Sequence, residues 1–158
     1  MILVTLGTND KSFERLLTEV ERLIDLGAIQ EEVLVQAGKT IYHSERMKIY
    51  DLLPMNEMEQ LMEQCSLLIT HGGVGSIISG LKHGKCVIAV PRLEKYKEHV
   101  NDHQLQIIRN FDASGCIIGT EGVQELQAAL EKAKTFAPQP YQSNTANMID
   151  LIRGHINA

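Results

Sequence analysis

The amino-acid sequence predicts an α/β domain in which a parallel sheet is flanked by helices. Short apolar runs, typical of buried strands, alternate with segments whose apolar residues recur at helical spacing. The runs at 2–6 and 86–90 carry no charged residue, as expected of strands buried on both faces of a parallel sheet. A third run, 67–70, leads into a glycine-rich turn at 71–76 and then a helical pattern. We therefore expect strand, turn and helix to follow one another in one open sheet.

Predicted strands and helices alternate along the chain, except that two strands follow each other after the first helix. In the first half they are a strand at 2–6, a helix at 12–26, strands at 32–36 and 48–53, and a helix at 56–65. In the second half they are a strand at 67–70, a helix ending at Gly84, a strand at 86–90, a helix at 100–110, a strand at 115–118 and a helix at 123–134. Gly27 and Pro54 supply stop signals. A linker at 136–140 precedes a terminal helix predicted over 143–155.

Length and composition bound the classes of function. The 158 residues suffice for one domain with its own core. A formal net charge of -5 gives no electrostatic reason to expect nucleic acid. The cysteines are odd in number and lack CxxC spacing, which suggests reduced thiols that pack in the core. Because no signal-peptide pattern and no apolar run of about 20 residues is present, we expect a cytoplasmic protein without its own transmembrane segment.

The glycine-rich turn at 71–76 is a candidate anion site. Glycines allow the backbone to approach a ligand, and the free N–H groups of a helix's first turn favour a phosphate. Ser76 could cap this helix or bond a phosphate oxygen, and His71 lies where open α/β sheets place ligands. Two other interpretations are open: a tight connection without a ligand, or a dinucleotide fingerprint. The fingerprint is disfavoured, because Ile78 occupies the position of its third glycine.

Polar residues also follow two other predicted strands. Thr8 and Asn9 come after the first strand and would face the same edge as His71 in a parallel sheet. Asn9 or Asp10 could equally well cap the next helix. The charged segment 92–101 follows an apolar strand and is a candidate ligand loop.

His99 and His103 have the spacing of two metal ligands on one helix face. No glutamate completes an HExxH motif and no further ligand is obviously placed, so we expect no metal. The more economical interpretation is that one histidine and Gln104 donate to a polar ligand at this helix start. Asn101 and Asp102 are also available there.

The residues around the glycine turn resemble a known family. The motif THGGVGS at 70–76, followed by Gly84, Pro91 and the NDHQ run at 101–104, resembles the donor-binding half of GT-B glycosyltransferases. Similar single-domain subunits occur in split UDP-sugar enzymes: the cytosolic subunit of the dolichol-pathway N-acetylglucosaminyltransferase, and the bacterial exopolysaccharide and capsule subunits described as galactosyltransferase enhancers. Three longer segments look like their counterparts, in the same order: 2–17, 50–85 and 90–104. The resemblance implies a single Rossmann-like domain similar to the C-terminal half of a GT-B enzyme.

The resemblance also implies roles for residues of this chain. By this resemblance, the donor diphosphate would be bound by His71, Gly73, Gly75 and Ser76. The hexose would be bound by His103 and Gln104, and the cleft would be lined by Gly7 and Thr8. Ser79 departs from the family pattern, because many relatives have a ribose-binding glutamate there, and Glu98 is a candidate substitute. No catalytic residue, cofactor or metal site is predicted. The predicted substrate-binding residues are Gly7, Thr8, Asn9, His71, Gly72, Gly73, Gly75, Ser76, Ser79, Arg92, His99, Asn101, His103 and Gln104.

A partner is implied as well. GT-B catalysis takes place between two Rossmann-like domains, and residues 1–158 would form only one nucleotide-sugar-binding domain. The resemblance therefore implies a membrane-associated subunit that binds a lipid-linked acceptor and recruits this chain to the inner face of the membrane. UDP would be displaced directly, with its charge stabilised by helix N–H groups and His71 and with the general base on the partner. The segment 141–158 is a candidate for docking this partner, or for packing on its own domain.

The predicted function is transfer of a hexose from a UDP-sugar to a lipid-linked acceptor in polysaccharide biosynthesis. Galactose and N-acetylglucosamine are both open as the hexose. The alternative is a non-catalytic activator that stabilises or recruits the membrane-associated subunit, which the departure at Ser79 would suit. A UDP-sugar epimerase or hydrolase of related fold is disfavoured, because those enzymes also need two domains.

Overall fold

The computed structural model describes residues 1–140, in which strands and helices alternate except that two strands follow each other after the first helix. The strands are β1 (Ile2–Thr5), β2 (Val33–Gln36), β3 (Lys48–Tyr50), β4 (Leu67–His71), β5 (Val87–Val90) and β6 (Ile118–Gly119). The helices are α1 (Glu14–Asp25), α2 (Met55–Gln64), α3 (Val74–Lys82), α4 (His103–Ala113) and α5 (Leu126–Ala133). Short 3-10 helices lie at Glu94–Tyr96 and Val123–Glu125.

The six strands form one sheet in the order β3-β2-β1-β4-β5-β6, and every pairing is parallel. β1 pairs with β2 on one side, with Ile2 opposite Val33, and with β4 on the other, with Ile2 opposite Leu67. The strand order reverses between β1 and β4. In open α/β sheets, ligands bind at such a point, outside the carboxyl ends of the strands. The α/β class and the parallel sheet flanked by helices, both predicted from the sequence, are confirmed.

The hydrophobic core lies on both faces of the sheet. Successive side chains of β1 point in opposite directions: Ile2 and Val4 pack with α1 and α5, whereas Leu3 packs with α3 and α4. Residues 2–6 are therefore all buried, although Thr5 is polar. Burial on both faces explains why this strand has an almost uninterrupted apolar sequence.

The three cysteines are free thiols. Cys65 and Cys116 are buried in the core on the α3 side of the sheet, and Cys86 is half-buried. Burial raises the pKa of the Cys65 and Cys86 thiols, so both stay protonated at neutral pH. Packing in the core is the role that the structure gives them.

The start of α1 differs from the prediction. The helix begins at Glu14, with Phe13 at the N-cap. Phe13 is buried, and its N–H donates to Thr40 Oγ1 over 2.9 Å, so the loop after β2 satisfies an amide at the start of this helix. Neither Asn9 nor Asp10 caps the helix. The Asn9 side chain instead accepts from the backbone N–H two residues further on, at 2.9 Å, and closes its own turn.

Three boundaries in the second half also differ: α5 begins at Leu126 after a 3-10 turn, and α4 and β6 begin later as well. α4 begins later than predicted, at His103, because Asn101 Oδ1 accepts from the His103 N–H over 3.0 Å and forms a turn before the helix. β6 also begins later, at Ile118. Gly115 has a left-handed φ of 79° and ends the turn after α4, so it cannot open the strand.

The end of the described chain packs back on the domain. Phe136 contacts the core, and the Gln139 N–H donates to the Gly115 carbonyl over 3.0 Å. The predicted terminal helix and its docking role fall on residues 141–158, outside the described residues. Among residues 1–140, no helix is both long and apolar enough to cross a membrane.

Candidate functional site

The carboxyl ends of β1 and β4 meet where the strand order reverses. The buried Thr5 hydroxyl donates to Thr70 Oγ1 over 2.8 Å and joins the two strand ends. Gly7 follows β1, and His71 is the last residue of β4. Both are predicted substrate-binding residues, and the structure brings them into contact.

The His71 ring fills space that two glycines leave empty. An ideal Cβ on Gly7 would lie 2.5 Å from His71 Nε2, and one on Gly73 would lie 2.5 Å from His71 Cε1. Gly7 also has a left-handed φ of 74°, which disfavours any residue with a side chain. The sequence predicts that these glycines make space for a ligand. In the structure, the imidazole of His71 occupies the space beside Gly7 and Gly73.

Gln104 connects three segments at this edge of the sheet. Its side-chain oxygen accepts from the Gly72 N–H at 2.9 Å and from the Arg92 N–H at 3.1 Å. Its amide nitrogen lies 3.1 Å from His71 Nδ1. Gly72 permits this close approach, because a Cβ there would lie 2.7 Å from Gln104 Cβ. Gln104 is only 6% exposed, so a buried amide joins α4 to the ends of β4 and β5.

His71 is held in the neutral state by burial. The residue is 7% exposed. Desolvation, reinforced by the charges of Arg92 and His99, lowers the pKa of His71 to about 3. At neutral pH the ring therefore has one N–H donor and one lone-pair acceptor, and it carries no charge.

The lowered pKa of His71 predicts a fold that acid destabilises. Below pH 6.5 the unfolded chain binds a proton at this histidine that the folded chain excludes down to about pH 3, so stability falls as the pH falls through this window. His71 should contribute a change in the free energy of unfolding on the order of 1 kcal/mol per pH unit. Urea unfolding of the wild type and of His71→Asn at several pH values in this window measures it. Equal pH slopes for the two proteins would contradict a buried neutral ring.

The N-terminus of α3 lies at the same edge with unpaired donors. The first bond of the helix runs from the Ile77 N–H to the Gly73 carbonyl over 3.1 Å, which leaves the N–H groups of residues 74–76 without a helical acceptor. Gly73 is the N-cap, and no side chain in the described part of the chain caps the helix. The suggestion that Ser76 caps this helix is therefore wrong. Free N–H groups at the positive end of a helix dipole favour an anion.

Gly75 and Ser76 are the open residues of this first turn. A Cβ on Gly75 would meet no atom of residues 1–140 within 4 Å. The Ser76 hydroxyl has no hydrogen-bond partner among the described residues, and neither has the hydroxyl of Ser79, one turn later. His71 and Gln104 fill the space beside Gly7, Gly72 and Gly73. The first turn of α3, by contrast, has backbone and side-chain donors that a ligand can use.

Arg92 is buried inside the protein. Its guanidinium donates to three carbonyl oxygens: those of Leu6 at 2.6 Å, Lys11 at 2.8 Å and Glu98 at 3.2 Å. These carbonyls belong to the β1–α1 loop (6–13) and the β5–α4 loop (91–102). Burial lowers the pKa of Arg92 to about 10, which leaves it charged at neutral pH. At 0% exposure, Arg92 holds the two loops together and has no accessible surface for a ligand.

Glu98 strengthens the same connection between the loops and α1. It is 3% exposed, and its carboxylate accepts from Arg15 Nε at 2.7 Å and from Arg15 Nη2 at 3.0 Å. It also accepts from the Leu93 N–H at 3.1 Å. The Arg15 guanidinium lies 3.7 Å from the centre of the Tyr96 ring. Both carboxylate oxygens of this candidate ribose ligand are thus engaged within the protein.

The remaining predicted residues lie on the two loops or at the start of α4: Thr8, Asn9, His99, Asn101 and His103. His99 Nδ1 accepts from the Asn101 N–H at 3.4 Å, and burial, together with the charge of Arg92, lowers the pKa of His99. Because α4 begins at His103, His99 and His103 do not share a helix face, as the metal interpretation requires. Residues 1–140 contain no group of three or more side chains that could hold a metal ion.

Gln36 belongs to the site although the sequence did not indicate it. Its side chain accepts from the Gly7 N–H at 3.1 Å and donates to the Gly7 carbonyl at 3.0 Å and the Asp51 carbonyl at 3.3 Å. These bonds fix the turn after β1. The sequence feature that could have indicated this role is a polar residue, Gln36, at the end of an otherwise apolar strand. A polar side chain buried there needs hydrogen-bond partners.

Comparison with protein families matches residues 1–155 to the glycosyltransferase family 28 C-terminal domain. A comparison with curated proteins finds no significant match. Among solved structures, the NMR solution structure of ALG13 is 18% identical to this chain with a TM-score of 0.64, and the match covers 98% of this chain and 96% of that chain.

Longer glycosyltransferases match over part of their length. SsfS6 from Streptomyces sp. SF2575, complexed with thymidine diphosphate, is 20% identical with a TM-score of 0.56, and the match covers 99% of this chain and 37% of SsfS6. MurG from Acinetobacter baumannii is 15% identical with a TM-score of 0.52, over 96% of this chain and 49% of MurG. The chain thus spans less than half of these two enzymes, and such identities support the fold alone. The family match covers nearly the whole chain and confirms the resemblance to the donor half of GT-B enzymes: the chain belongs to the glycosyltransferase family 28 C-terminal domains.

Proposed function

We propose that this chain is the donor-binding domain of a glycosyltransferase and holds the diphosphate of a UDP-sugar at the N-terminus of α3. The observation that carries the proposal is the row of unpaired N–H groups of Val74, Gly75 and Ser76, at the point where the strand order reverses. Such a row, at the positive end of a helix dipole, suits a diphosphate. Family membership supports a transferase activity, and SsfS6 was solved with a nucleoside diphosphate.

The same groups suit the departure of UDP. Negative charge grows on the diphosphate as its bond to the sugar breaks, and N–H groups already aimed at this charge lower the barrier. His71 lies beside them and adds a polar group that is neutral at pH 7. Side chains of the β1–α1 and β5–α4 loops would line the sugar. The base that deprotonates the acceptor hydroxyl is assigned to a partner subunit.

The acceptor half of the cleft would come from that partner. Exposed apolar side chains follow β2 and β3 at the ligand edge of the sheet: Ile41 is 91% exposed, Leu52 62% and Met55 81%. Apolar surface beside a cleft favours a protein contact. We propose a membrane-associated subunit that binds a lipid-linked acceptor, to which galactose or N-acetylglucosamine is transferred in polysaccharide biosynthesis. This subunit would hold the chain at the inner face of the membrane.

Calorimetric titration of UDP into the purified chain tests the proposal, with Ser76→Ala as the site variant. The Ser76 hydroxyl has no partner among the described residues, so its loss should leave stability nearly unchanged. Loss of one hydrogen bond to a charged phosphate should weaken UDP binding by about tenfold or more. Ser66→Ala is a control for UDP binding, because Ser66 precedes β4 at the opposite edge of the sheet, where its hydroxyl donates to the Met1 carbonyl and to Glu31. It should bind UDP as the wild type does.

Two outcomes would count against the proposal. Equal UDP affinity in the wild type and Ser76→Ala would contradict the placement of the diphosphate at α3. A folded chain that does not bind UDP at about millimolar concentration, alone or with its acceptor subunit, would favour the alternative function. That alternative is a non-catalytic activator of the subunit, which Ser79 in place of a ribose-binding carboxylate would suit.

A further inference from the structure

The side-chain amide of Gln104 has one chemically acceptable orientation. Its oxygen lies 2.9 Å from the Gly72 nitrogen and 3.1 Å from the Arg92 nitrogen, and both are backbone donors. With oxygen and nitrogen exchanged, the NH₂ group would face these donors, and buried N–H groups would be left without an acceptor. The oxygen therefore faces the backbone and the nitrogen faces His71.

This orientation determines which nitrogen of His71 carries the proton. The Gln104 nitrogen, 3.1 Å from His71 Nδ1, can only donate, so Nδ1 accepts with its lone pair. The single proton of a neutral ring is then on Nε2. Protonation of both nitrogens is opposed by burial and by the positive charge of Arg92, which both lower the pKa of His71.

His71 Nε2 lies next to the proposed diphosphate site. The ring edge formed by Nε2 and Cε1 is flanked by Gly7 and Gly73. Nε2 has no hydrogen-bond partner among the described residues. Gly73 is the N-cap of α3, so this nitrogen lies close to the start of the helix whose first-turn N–H groups are unpaired. With a proton it adds one donor to that row, whereas a bare nitrogen would turn its lone pair toward phosphate oxygens.

We propose that Gln104 is a positioning residue that holds His71 in the Nε2–H tautomer, so that this N–H donates to the nucleoside diphosphate. The identity of the ligand in this inference rests on the proposed function, whereas the tautomer of His71 is a property of the ligand-free chain. The inference also gives Gln104 a role different from the predicted contact with the hexose. Backbone N–H groups already use both lone pairs of its oxygen.

Nitrogen NMR of the His71 ring in the ligand-free chain is the first test. In the wild type at neutral pH we expect Nδ1 to be of the pyridine type and Nε2 to bear the proton. Gln104→Glu supplies a carboxylate that still accepts from both backbone N–H groups but cannot donate, so His71 Nδ1 should become protonated. Gln106→Glu places the same charge at an exposed position of α4 and should leave both ring nitrogens unchanged.

UDP titration at alkaline pH, where the ring is neutral, is the second test. Gln104→Glu should bind UDP about tenfold or more weakly than the wild type, and Gln106→Glu should not. A wild-type ring protonated at Nδ1, or wild-type ring nitrogens in Gln104→Glu, would overturn the inference. The wild-type spectrum decides the tautomer even if the variant does not fold. A chain with the expected tautomer that does not bind UDP, alone or with its acceptor subunit, would refute the proposed function, but not the effect of Gln104 on His71.

Discussion

Arg92→Met is expected to lower the free energy of unfolding by about 3 kcal/mol or more. The fully buried guanidinium donates to the carbonyls of Leu6, Lys11 and Glu98, so its removal leaves acceptors of both site loops unpaired. Domains of this size are stable by about 5–15 kcal/mol, and the loss is a large share of that. Chemical denaturation followed by circular dichroism measures the change.

A matched substitution separates this effect from the loss of any arginine. Arg109 pairs with Glu121 at 2.6 Å on the surface, and 58% of its side chain is exposed. Arg109→Met should leave the denaturation midpoint nearly unchanged. Because Arg92 joins the β1–α1 and β5–α4 loops, its variant should also bind UDP more weakly under conditions in which it is still folded. Equal midpoints for the two methionine variants would contradict the role assigned to Arg92.

Gly73→Ala and Gly75→Ala are expected to change stability in opposite directions. A Cβ on Gly73 would lie 2.5 Å from the His71 ring, which Gly7 confines from the other side, so we expect a loss of about 1–3 kcal/mol. A Cβ on Gly75 would meet no atom of the described residues within 4 Å. Alanine is the better helix former there, so we expect a gain of about 0.5–1 kcal/mol. Denaturation midpoints of the two variants measure both changes.

The same pair of variants separates stability from ligand binding. Gly73→Ala should weaken UDP binding because it displaces His71. Gly75→Ala should weaken it because its methyl group lies where the diphosphate would approach the backbone. A Gly75→Ala chain that is more stable but binds UDP more weakly would show that this glycine serves the ligand. Unchanged UDP affinity in this variant would argue against a diphosphate at the first turn of α3.

The fold could be predicted because its signals are local. A sheet covered on both faces requires strands without a polar side, and the runs that became β4 and β5 have this composition. The glycine turn after β4 is equally local, since a strand, a tight turn and a helix follow one another within a few residues. Helix starts were less predictable. The N-cap of α1 depends on a hydroxyl from Thr40, which the sequence near Phe13 does not reveal.

The contacts inside the site depend on residues that are distant in sequence. A polar residue after a strand is equally consistent with a ligand contact and with an internal bond. Nothing near Arg92 indicates that its guanidinium will meet the Leu6 carbonyl, and nothing near Gln104 indicates a bond to His71. The glycines present the same ambiguity, because a missing Cβ makes room for a ligand and for a neighbouring ring alike. Only the assembled sheet edge separates these possibilities.

The most direct test of a diphosphate site at α3 is the backbone amide NMR spectrum of the chain during a titration with UDP. We predict that the largest shift changes occur at the N–H groups of Val74, Gly75 and Ser76, which have no acceptor among residues 1–140. Uridine, which has no phosphate, should leave these signals in place. Shift changes confined to other residues, or none in a folded chain at saturating UDP, would contradict the proposed position of the donor diphosphate.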